Sequence, residues 1–515
     1  LMKRRKMLVC LLVTMFVGIL GELTLLQAAP RQLNILLAIS DDQSFRHTSA
    51  AGYKAIATPA FDRIASEGVL FRNAFCGSPG CSPSRASLLT GRYPWQLEHA
   101  GTHASSFSSK YACYPNLLEA GGYFVGFTGK GWGPGNWKDG GHKRNPAGPE
   151  FNRRSLQKKP TSGISKRDYA ANFEEFLKAK PAAKPFCFWY GGHEPHRGFE
   201  AGSGVAAGKK LADVEVPTFL PDQEIIRSDI LDYCLEIEHF DRQLGKMLQL
   251  LQQRGELENT IVLVTGDNGM AFPRAKANCY EYGIHVPLAI RWPGQGKPGR
   301  VVDDLVSFVD LAPTLLEVAG LPSEPAMTGK SLASLLKSDK SGVVEPERRH
   351  VFSARERHSS SRYQNWTYPQ RAMRTDRYLL IRNFRPDRWP AGAPQKLNSD
   401  GSLGPMHGAY HDIDACPSLS FLVKHWDEPG IAPFFQWSVA KRPAWELFDI
   451  HKDPGCLENL IGFSAARDVE PGLKRDLEAF LTQTRDPRIL DGGDIFESYR
   501  RYSRMRKFPA PEGAK

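Results

Sequence analysis

Two short clusters of oxygen-bearing side chains could hold a metal ion. Asp41 and Asp42 follow a short apolar run, and Asp267 and Asn268 lie in the segment Thr265-Gly-Asp-Asn-Gly269. Three carboxylates and one amide oxygen suit a hard divalent cation such as calcium, and do not suit zinc. Such a cation would polarise an oxygen of an anionic substrate and lower the pKa of a nucleophile. An Asp-Asp pair alone is more typical of a turn or a cap, so the site needs a second signal.

Three further side chains could handle negative charge and protons. Lys130 and Lys276 carry ammonium groups that can neutralise an oxyanion as it is attacked. His193, in Gly192-His-Glu-Pro-His196, is the candidate to protonate a leaving group, with His196 as the alternative. Taken singly, a lysine is usually a solvated surface residue and a loop histidine is usually satisfied by the backbone.

The most specific signal is Cys81-Ser-Pro-Ser-Arg85, which continues to Gly91 and Arg92. It resembles the maturation signature of the type I sulfatases, in which the cysteine is oxidised to formylglycine. The resemblance implies that one hydroxyl of the hydrated aldehyde attacks sulfur and that the other later expels sulfate. Arg85 would hold the hydrate, and the start of a helix would direct N–H groups at the anion. A buried structural cysteine is the alternative.

The resemblance extends from Asn34 to about Asn459 and is strongest to the heparan N-sulfatase (sulfamidase) branch. The segments that carry it are Ile56–Pro59, Leu70–Phe75, Cys81–Gly91, His193–Arg197 and Asp267–Gly269. It implies a calcium ion held by Asp41, Asp42, Asp267 and Asn268, next to the formylglycine made from Cys81. It also implies that Arg85 contacts the formylglycine, that Lys130 and Lys276 contact the sulfate, and that His193 protonates the leaving group. The implied partners are a sulfated glycan, such as a glycosaminoglycan or a small sulfated sugar, and a maturation enzyme.

Two positions depart from the family pattern. The sulfamidase branch has arginine where this chain has Lys276, and either cation would serve. The family has a histidine, a candidate base for sulfate release, where this chain has Trp132; His103 or His142 could replace it. Two alternatives therefore stay open. One is a phosphate or phosphonate ester hydrolase of the alkaline-phosphatase superfamily, and the other is a glycan-binding pseudo-enzyme, which Trp132 favours.

Strands that alternate with helices must position these residues. Apolar runs predict strands over 33–39, 69–75, 123–128, 186–190 and 260–264. Helical patterns cover 59–66, 82–89, 166–180 and 228–254, and the last of these presents Phe240, Leu244, Met247, Leu248 and Leu251 on one face. This order predicts an α/β, alkaline-phosphatase-like sandwich with a large, mainly parallel sheet. The polar clusters follow the carboxyl ends of strands, the edge at which such sheets bind ligands.

The predicted domains are a catalytic α/β domain over 31–350 and a smaller α+β C-terminal subdomain over 351–490. In the subdomain, Tyr378–Arg382 and Trp445–Asp449 are predicted strands and Glu470–Thr484 a predicted helix. A basic tail over 491–515 follows, and its stretch Arg500–Lys507 is interpreted as solvated.

Residues 1–29 have the pattern of a cleaved export signal. Lys3–Lys6 are basic, an apolar stretch follows, and Ala28 and Ala29 are small. An uncleaved anchor helix is the alternative. We therefore expect a periplasmic or secreted protein with no stable membrane partner after cleavage.

Charge and cysteine content agree with an exported protein that meets an anionic partner. The net charge of +11 becomes +8 when residues 1–28, with four basic residues and one acidic, are removed. A basic surface suits a polyanionic glycan, and no nucleic-acid-binding module is recognised. The nine cysteines contain no CxxC pair, so zinc-ribbon spacing is absent, and no disulfide pairing can be deduced from them.

Overall fold

A computed structural model describes residues 32–512 of the chain. The predicted export signal lies outside these residues. Within them, no helix combines the length and the apolar character needed to cross a membrane.

The strands form two sheets. The larger contains β1 (Asn34–Ser40), β2 (Val69–Phe75), β3 (Phe124–Gly129), β4 (Phe186–Gly191), β5 (Thr260–Gly266), β6 (His285–Arg291) and β7 (Arg300–Ser307). The smaller contains β8 (Val351–Arg355), β9 (Gln370–Arg374), β10 (Tyr378–Asn383) and β11 (Trp445–Asp449).

The helices fall between and after these strands. They are α1 (Pro59–Glu67), α2 (Cys81–Thr90), α3 (Tyr114–Ala120), α4 (Tyr169–Ala179), α5 (Ser203–Ala206), α6 (Glu224–Gln253), α7 (Glu281–Ile284), α8 (Leu311–Val318), α9 (Ala333–Lys337), α10 (Pro417–Lys424), α11 (Ala432–Val439), α12 (Glu470–Gln483), α13 (Pro487–Leu490) and α14 (Ile495–Ser498).

The large sheet has the order β3-β4-β1-β5-β6-β2-β7. Strand β1 lies near the centre, parallel to both neighbours, with Ile35 opposite Cys187 on β4 and Ile261 on β5. Strand β6 runs antiparallel to β5 and β2, whereas β7 is parallel to β2 and β3 is parallel to β4. The sheet is therefore mainly parallel, as predicted, with one reversed strand inside it.

Helices cover both faces of this sheet. Along β1, Ile35, Leu37 and Ile39 pack in one core, and Leu36 and Ala38 pack in the other, because successive side chains of a strand point to opposite faces. The first core includes apolar residues of α2 and α8, and the second those of α1, α4 and α6. The apolar face predicted for α6 lies in the second core. The α/β sandwich is confirmed.

The small sheet is antiparallel, in the order β11-β10-β9-β8. Its residues Leu379 and Ile381 join the first core of the large sheet, whereas Leu380 faces Leu477 and Leu481 of α12. Because one core crosses residue 350, the boundary between the two predicted domains stays a prediction. Most residues of the stretch Arg500–Lys507 are exposed, with Met505 at 55%. The chain still contacts the fold here: the N–H of Tyr502 donates to the carbonyl of Ala104, and Phe508, just after the stretch, is buried.

Candidate active site

The predicted site residues meet at one edge of the large sheet. Asp41 and Asp42 follow β1, Lys130 follows β3, His193 lies two residues beyond β4, and Asp267 follows β5. These four strands are mutually parallel, so their carboxyl ends lie at the same edge.

The three carboxylates and the amide form a compact, buried cluster. Asp41, Asp42 and Asp267 each place an oxygen within 4.8 Å of the other two. The backbone N–H of Asp42 donates to Asp267 Oδ1 at 3.0 Å, and Asn268 Nδ2 donates to Asp42 Oδ1 at 2.8 Å. Asp42 adopts φ 73°, an uncommon value for a residue other than glycine, as found at functional sites.

This cluster fits a hard divalent cation. All of its ligand atoms are oxygens, and Asn268 Oδ1 is buried without a hydrogen-bond partner among the described residues. Burial and the nearby charge of Asp41 raise the pKa of Asp267 to about 6. Carboxylates that crowd one another in this way gain most from a shared cation.

Two of the three carboxylates each form an ion pair with a lysine. Lys130 Nζ lies 2.6 Å from Asp41 Oδ2, and Lys276 Nζ lies 2.6 Å from Asp42 Oδ2. Although burial opposes its ionisation, the ammonium of Lys130 holds the pKa of Asp41 well below its usual range. The two lysines therefore lie at the acidic cluster, as a sulfate-binding role requires.

Cys81 begins helix α2 beside this cluster. Its Sγ lies 3.4 Å from Asp41 Oδ1 and 3.9 Å from Asp42 Oδ1, and the residue is 1% exposed. Pro83 occupies the first turn, where N–H groups have no helical acceptor, and Gly91 ends the helix at φ 65°. Burial and the charge of Asp41 raise the pKa of the Cys81 thiol well above its ordinary value. The unmodified thiol therefore stays protonated and is a weak nucleophile.

Arg85 connects α2 to two of the strand ends. Its Nε donates to Asp267 Oδ2 at 2.7 Å, and one Nη donates to the carbonyls of Lys130 at 2.7 Å and Gly131 at 3.1 Å. The other Nη has no partner among the described residues. Arg85 can thus fix the geometry of the site and still donate to a group beside Cys81.

A family model described as "Sulfatase" matches residues 33–321, more than half of the chain. The chain belongs to the sulfatase family. A second model, described as "N-sulphoglucosamine sulphohydrolase, C-terminal", matches residues 274–391. The resemblance predicted from the Cys81 segment is confirmed, as is hydrolysis of sulfuric esters or sulfamates as the activity class.

Known proteins agree with this assignment. The human N-sulphoglucosamine sulphohydrolase is 28% identical to this sulfatase over 93% of the chain and 95% of the human protein. An ulvan-active sulfatase of Formosa agariphila is 26% identical over 93% of the chain and 80% of that protein.

Solved structures share the fold. A protein in complex with its substrate D-glucosamine-2-N,6-O-disulfate has TM-score 0.64 and 19% identity, over 88% of this chain and 98% of that one. A phosphonate monoester hydrolase from Silicibacter pomeroyi has TM-score 0.60 and 17% identity, over 89% and 97%. The alkaline-phosphatase-like fold is therefore confirmed, and it does not by itself separate sulfate from phosphonate chemistry.

A cavity of about 540 Å³ opens at the sulfatase site and is lined by Asp41, Lys130, Arg167, His193, His196 and Arg197, among others. The ring of His193 hydrogen-bonds the guanidinium of Arg167. Burial and that guanidinium lower the pKa of His193 to about 3, although Asp41 opposes them. His193 is therefore neutral before an anion enters, and can donate to a leaving group through its ring N–H.

The sequence did not point to one member of the site. Asp414 Oδ2 lies 2.9 Å from Lys276 Nζ, and Asp414 also lies in a cluster with Asp42 and His196. Asp414 follows β10 in a long loop, and no motif or predicted element marked it. His196, the alternative to His193, lies 3.9 Å from Asp42 Oδ2.

The structure separates the two candidate replacements for the missing histidine. Trp132 is buried, donates from its ring to the carbonyl of Ser82 at 3.0 Å and packs on Phe107. His142 packs on Phe107 at a ring distance of 5.2 Å, so Phe107 contacts both rings. His103 stacks on His358 at 4.5 Å, and a side chain at Gly80, directly before Cys81, would meet both of these rings. His103 is thus the better-placed candidate.

Proposed function

We propose that this sulfatase is an exported enzyme that removes sulfate from a saccharide with a formylglycine nucleophile made from Cys81. The observation that carries the proposal is the position of Cys81. Its Sγ lies at the start of α2, 3.4 Å from Asp41, at a cluster that Lys130 and Lys276 also contact. The pattern of residues 1–29 supports export.

Calcium would be held by Asp41, Asp42, Asp267 and Asn268, next to the modified Cys81. The donor set is made of oxygens only, and the unpartnered Oδ1 of Asn268 is an available ligand. When bound, a cation of this kind supplies positive charge that polarises a sulfate oxygen.

Four other side chains would bind the sulfate, hold the nucleophile or protonate the leaving group. Lys130 and Lys276 are placed to contact sulfate oxygens and to neutralise charge as sulfur is attacked. The partly unpaired guanidinium of Arg85 can hold the nucleophile. A bound sulfate anion favours the protonated form of His193, on the cavity wall, and that form can donate a proton to the leaving group. These roles follow from placement and chemistry.

The proposed substrate is a sulfated saccharide of the glucosamine type, with the N-sulfate as the first candidate. The match to the N-sulphoglucosamine sulphohydrolase C-terminal model supports it. The cavity carries Lys130, Arg167 and Arg197, which suit an anionic sugar. O-sulfated sugars are the alternative substrates for the same catalytic residues, because hydrogen bonds from the surrounding loops decide specificity.

Two measurements test the proposal. Peptide mass spectrometry of natively produced protein should find formylglycine at position 81, and unmodified cysteine in active enzyme would exclude it as the nucleophile. Sulfate release should then be compared for N-sulfoglucosamine, 6-O-sulfated glucosamine and sulfated galactose, with Cys81→Ala as the control. Preference for an O-sulfated sugar would exclude the sulfamidase assignment. Faster hydrolysis of a phosphonate monoester, assayed in parallel, would exclude a sulfated saccharide as the preferred substrate. Binding without turnover would indicate a pseudo-enzyme.

A further inference from the structure

A guanidinium group without hydrogen-bond partners lies buried outside the catalytic cavity. Arg357 is 1% exposed, and its Nε and both Nη atoms have no partner among residues 32–512. A buried charge without a partner is strongly destabilising, so native proteins pair such groups with a counter-charge or a bound ion.

No described residue accepts a hydrogen bond from the Arg357 guanidinium, and a second cationic side chain lies near it. Arg501 is close enough for its charge to lower the pKa of Arg357, together with burial, to about 10. One Nη of Arg501 donates to the carbonyl of His358 at 2.8 Å, whereas its Nε has no partner. The Nδ1 atoms of His99 and His103 are also buried without a partner among the described residues.

The carboxylates that attract Arg357 are engaged by other arginines. Glu356 accepts from Arg371 at 2.8 Å and from Arg488 at 2.7 Å. Glu497 accepts from Arg388 at 2.6 Å and from the N–H of Thr367 at 2.8 Å. With Asp486, which binds Arg371, these are three carboxylates for five arginines: Arg357, Arg371, Arg388, Arg488 and Arg501. A fourth carboxylate, Asp412, attracts Arg501 but is already bound by Arg355 and Arg362. The cluster therefore has an excess of positive charge.

We propose that Arg357 and Arg501 hold a small inorganic anion, a halide or sulfate, at a site distinct from the catalytic centre. A guanidinium fork binds such anions well, and a saccharide cannot reach a guanidinium that is 1% exposed. Neither arginine lines the catalytic cavity. The two sites are nevertheless neighbours in the fold, because the N–H of His103 donates to the carbonyl of Arg357 at 3.1 Å.

Crystals of the full chain soaked in sodium bromide test the site directly. We expect an anomalous peak in contact with the Arg357 guanidinium, separate from any peak at Lys130 and Lys276. Crystals grown in sodium sulfate, without bromide, would show whether the oxyanion occupies the same position. A halide or a sulfate at Arg357 supports the proposal and shows which of the two anions the site binds. If both crystals show only water, or a protein acceptor, at Arg357, the proposal is overturned.

A second test needs no crystal. At fixed ionic strength, we expect the thermal midpoint of the wild type to be a few degrees higher in bromide or sulfate than in gluconate, a larger organic anion that should not reach a buried guanidinium. Arg357→Met should lose this difference and should be more stable than the wild type in gluconate, because it removes the uncompensated charge. The exposed Arg475→Met is the matched control. An unchanged anion response in Arg357→Met would overturn the proposal, whatever anions bind at the catalytic centre.

Discussion

Lys276 lies 2.9 Å from Asp414, a residue 138 positions further along the chain. The same ammonium lies 2.6 Å from Asp42, so it joins the acidic cluster at the end of β1 to the loop between β10 and β11. Asp414 is 31% exposed at its side chain, whereas Lys276 is 4% exposed. Asp414 therefore both orients Lys276 and remains open to a substrate.

Replacing Asp414 by asparagine should weaken the placement of Lys276. Loss of one charge-assisted hydrogen bond corresponds to about 1.5 kcal/mol or more, so kcat/KM for the preferred sulfated sugar should fall at least about tenfold. Steady-state kinetics measure the effect, with exposed Asp427→Asn as the control. Equal kcat/KM in Asp414→Asn and wild type would exclude a role for this contact.

Calcium should be required for turnover, because the oxygens of three buried carboxylates lie within 4.8 Å of one another and Asn268, whose Oδ1 has no partner among the described residues, contacts Asp42. Chelation should abolish sulfate release, and added calcium should restore it. Asp42→Asn should weaken calcium binding about 100-fold or more, since even residues that only orient metal ligands cost 10–100-fold. Titration calorimetry measures the affinity, again with Asp427→Asn as the control. Full activity of the chelated protein would contradict the site.

His103 should act in the second half of the reaction, if any histidine replaces the one missing at Trp132. His103→Gln should lower kcat by about 10²–10⁴-fold, the range for loss of a general base, and should leave the sulfated enzyme to accumulate. His142→Gln is the matched control, because this ring packs on Phe107, which in turn packs on Trp132. Intact-protein mass spectrometry after mixing with substrate detects the sulfated form. A larger defect in His142→Gln would reverse the assignment.

Glu236 should make the protein less stable as pH rises. Burial, together with the charge of Glu194, raises the pKa of Glu236 from 4.5 to about 9, and its Oε1 has no partner among the described residues. The folded state therefore binds this proton more tightly than the unfolded state, so stability falls between about pH 4.5 and pH 9. Glu236→Gln should remove this loss and be about 1–3 kcal/mol more stable than wild type at pH 8.

Denaturant unfolding of both proteins at pH 5 and pH 8 measures this difference. The exposed Glu458→Gln is the control for loss of a charge alone. A gain for Glu236→Gln that is equal at both pH values would contradict the shifted pKa.

The sequence predicted the parts of the fold whose signals are local. The predicted strands at 69–75 and 445–449 have the observed bounds, and each begins just after a residue that interrupts regular structure, Gly68 and Pro443 respectively. Strands β6 and β7 were not predicted, and the reversed direction of β6 depends on pairing with β5 and β2, which no local pattern encodes.

The site could be predicted as far as its residues lie in motifs or at strand ends. The sulfatase signature led to Cys81 and Arg85, and the strand ends led to the acidic cluster. Asp414 could not be found, because its role depends on a long loop that folds back onto Lys276. The sequence allowed no disulfide pairing to be deduced, and the eight cysteines within the described residues are all unpaired.

Because β6 lies between β5 and β2, β2 can join the sheet only late in the synthesis of the chain. Strand β2, which leads directly into Cys81, finds its sheet neighbours only in β6 and β7, so it stays without them until residues 285–307 have left the ribosome. At about 5–20 residues per second, synthesis of residues 76–284 takes about 10–40 s. Once the sheet closes, Cys81 is 1% exposed. If Cys81 is converted to formylglycine as proposed, the maturation enzyme would have this interval, before the sheet is complete, in which to reach it.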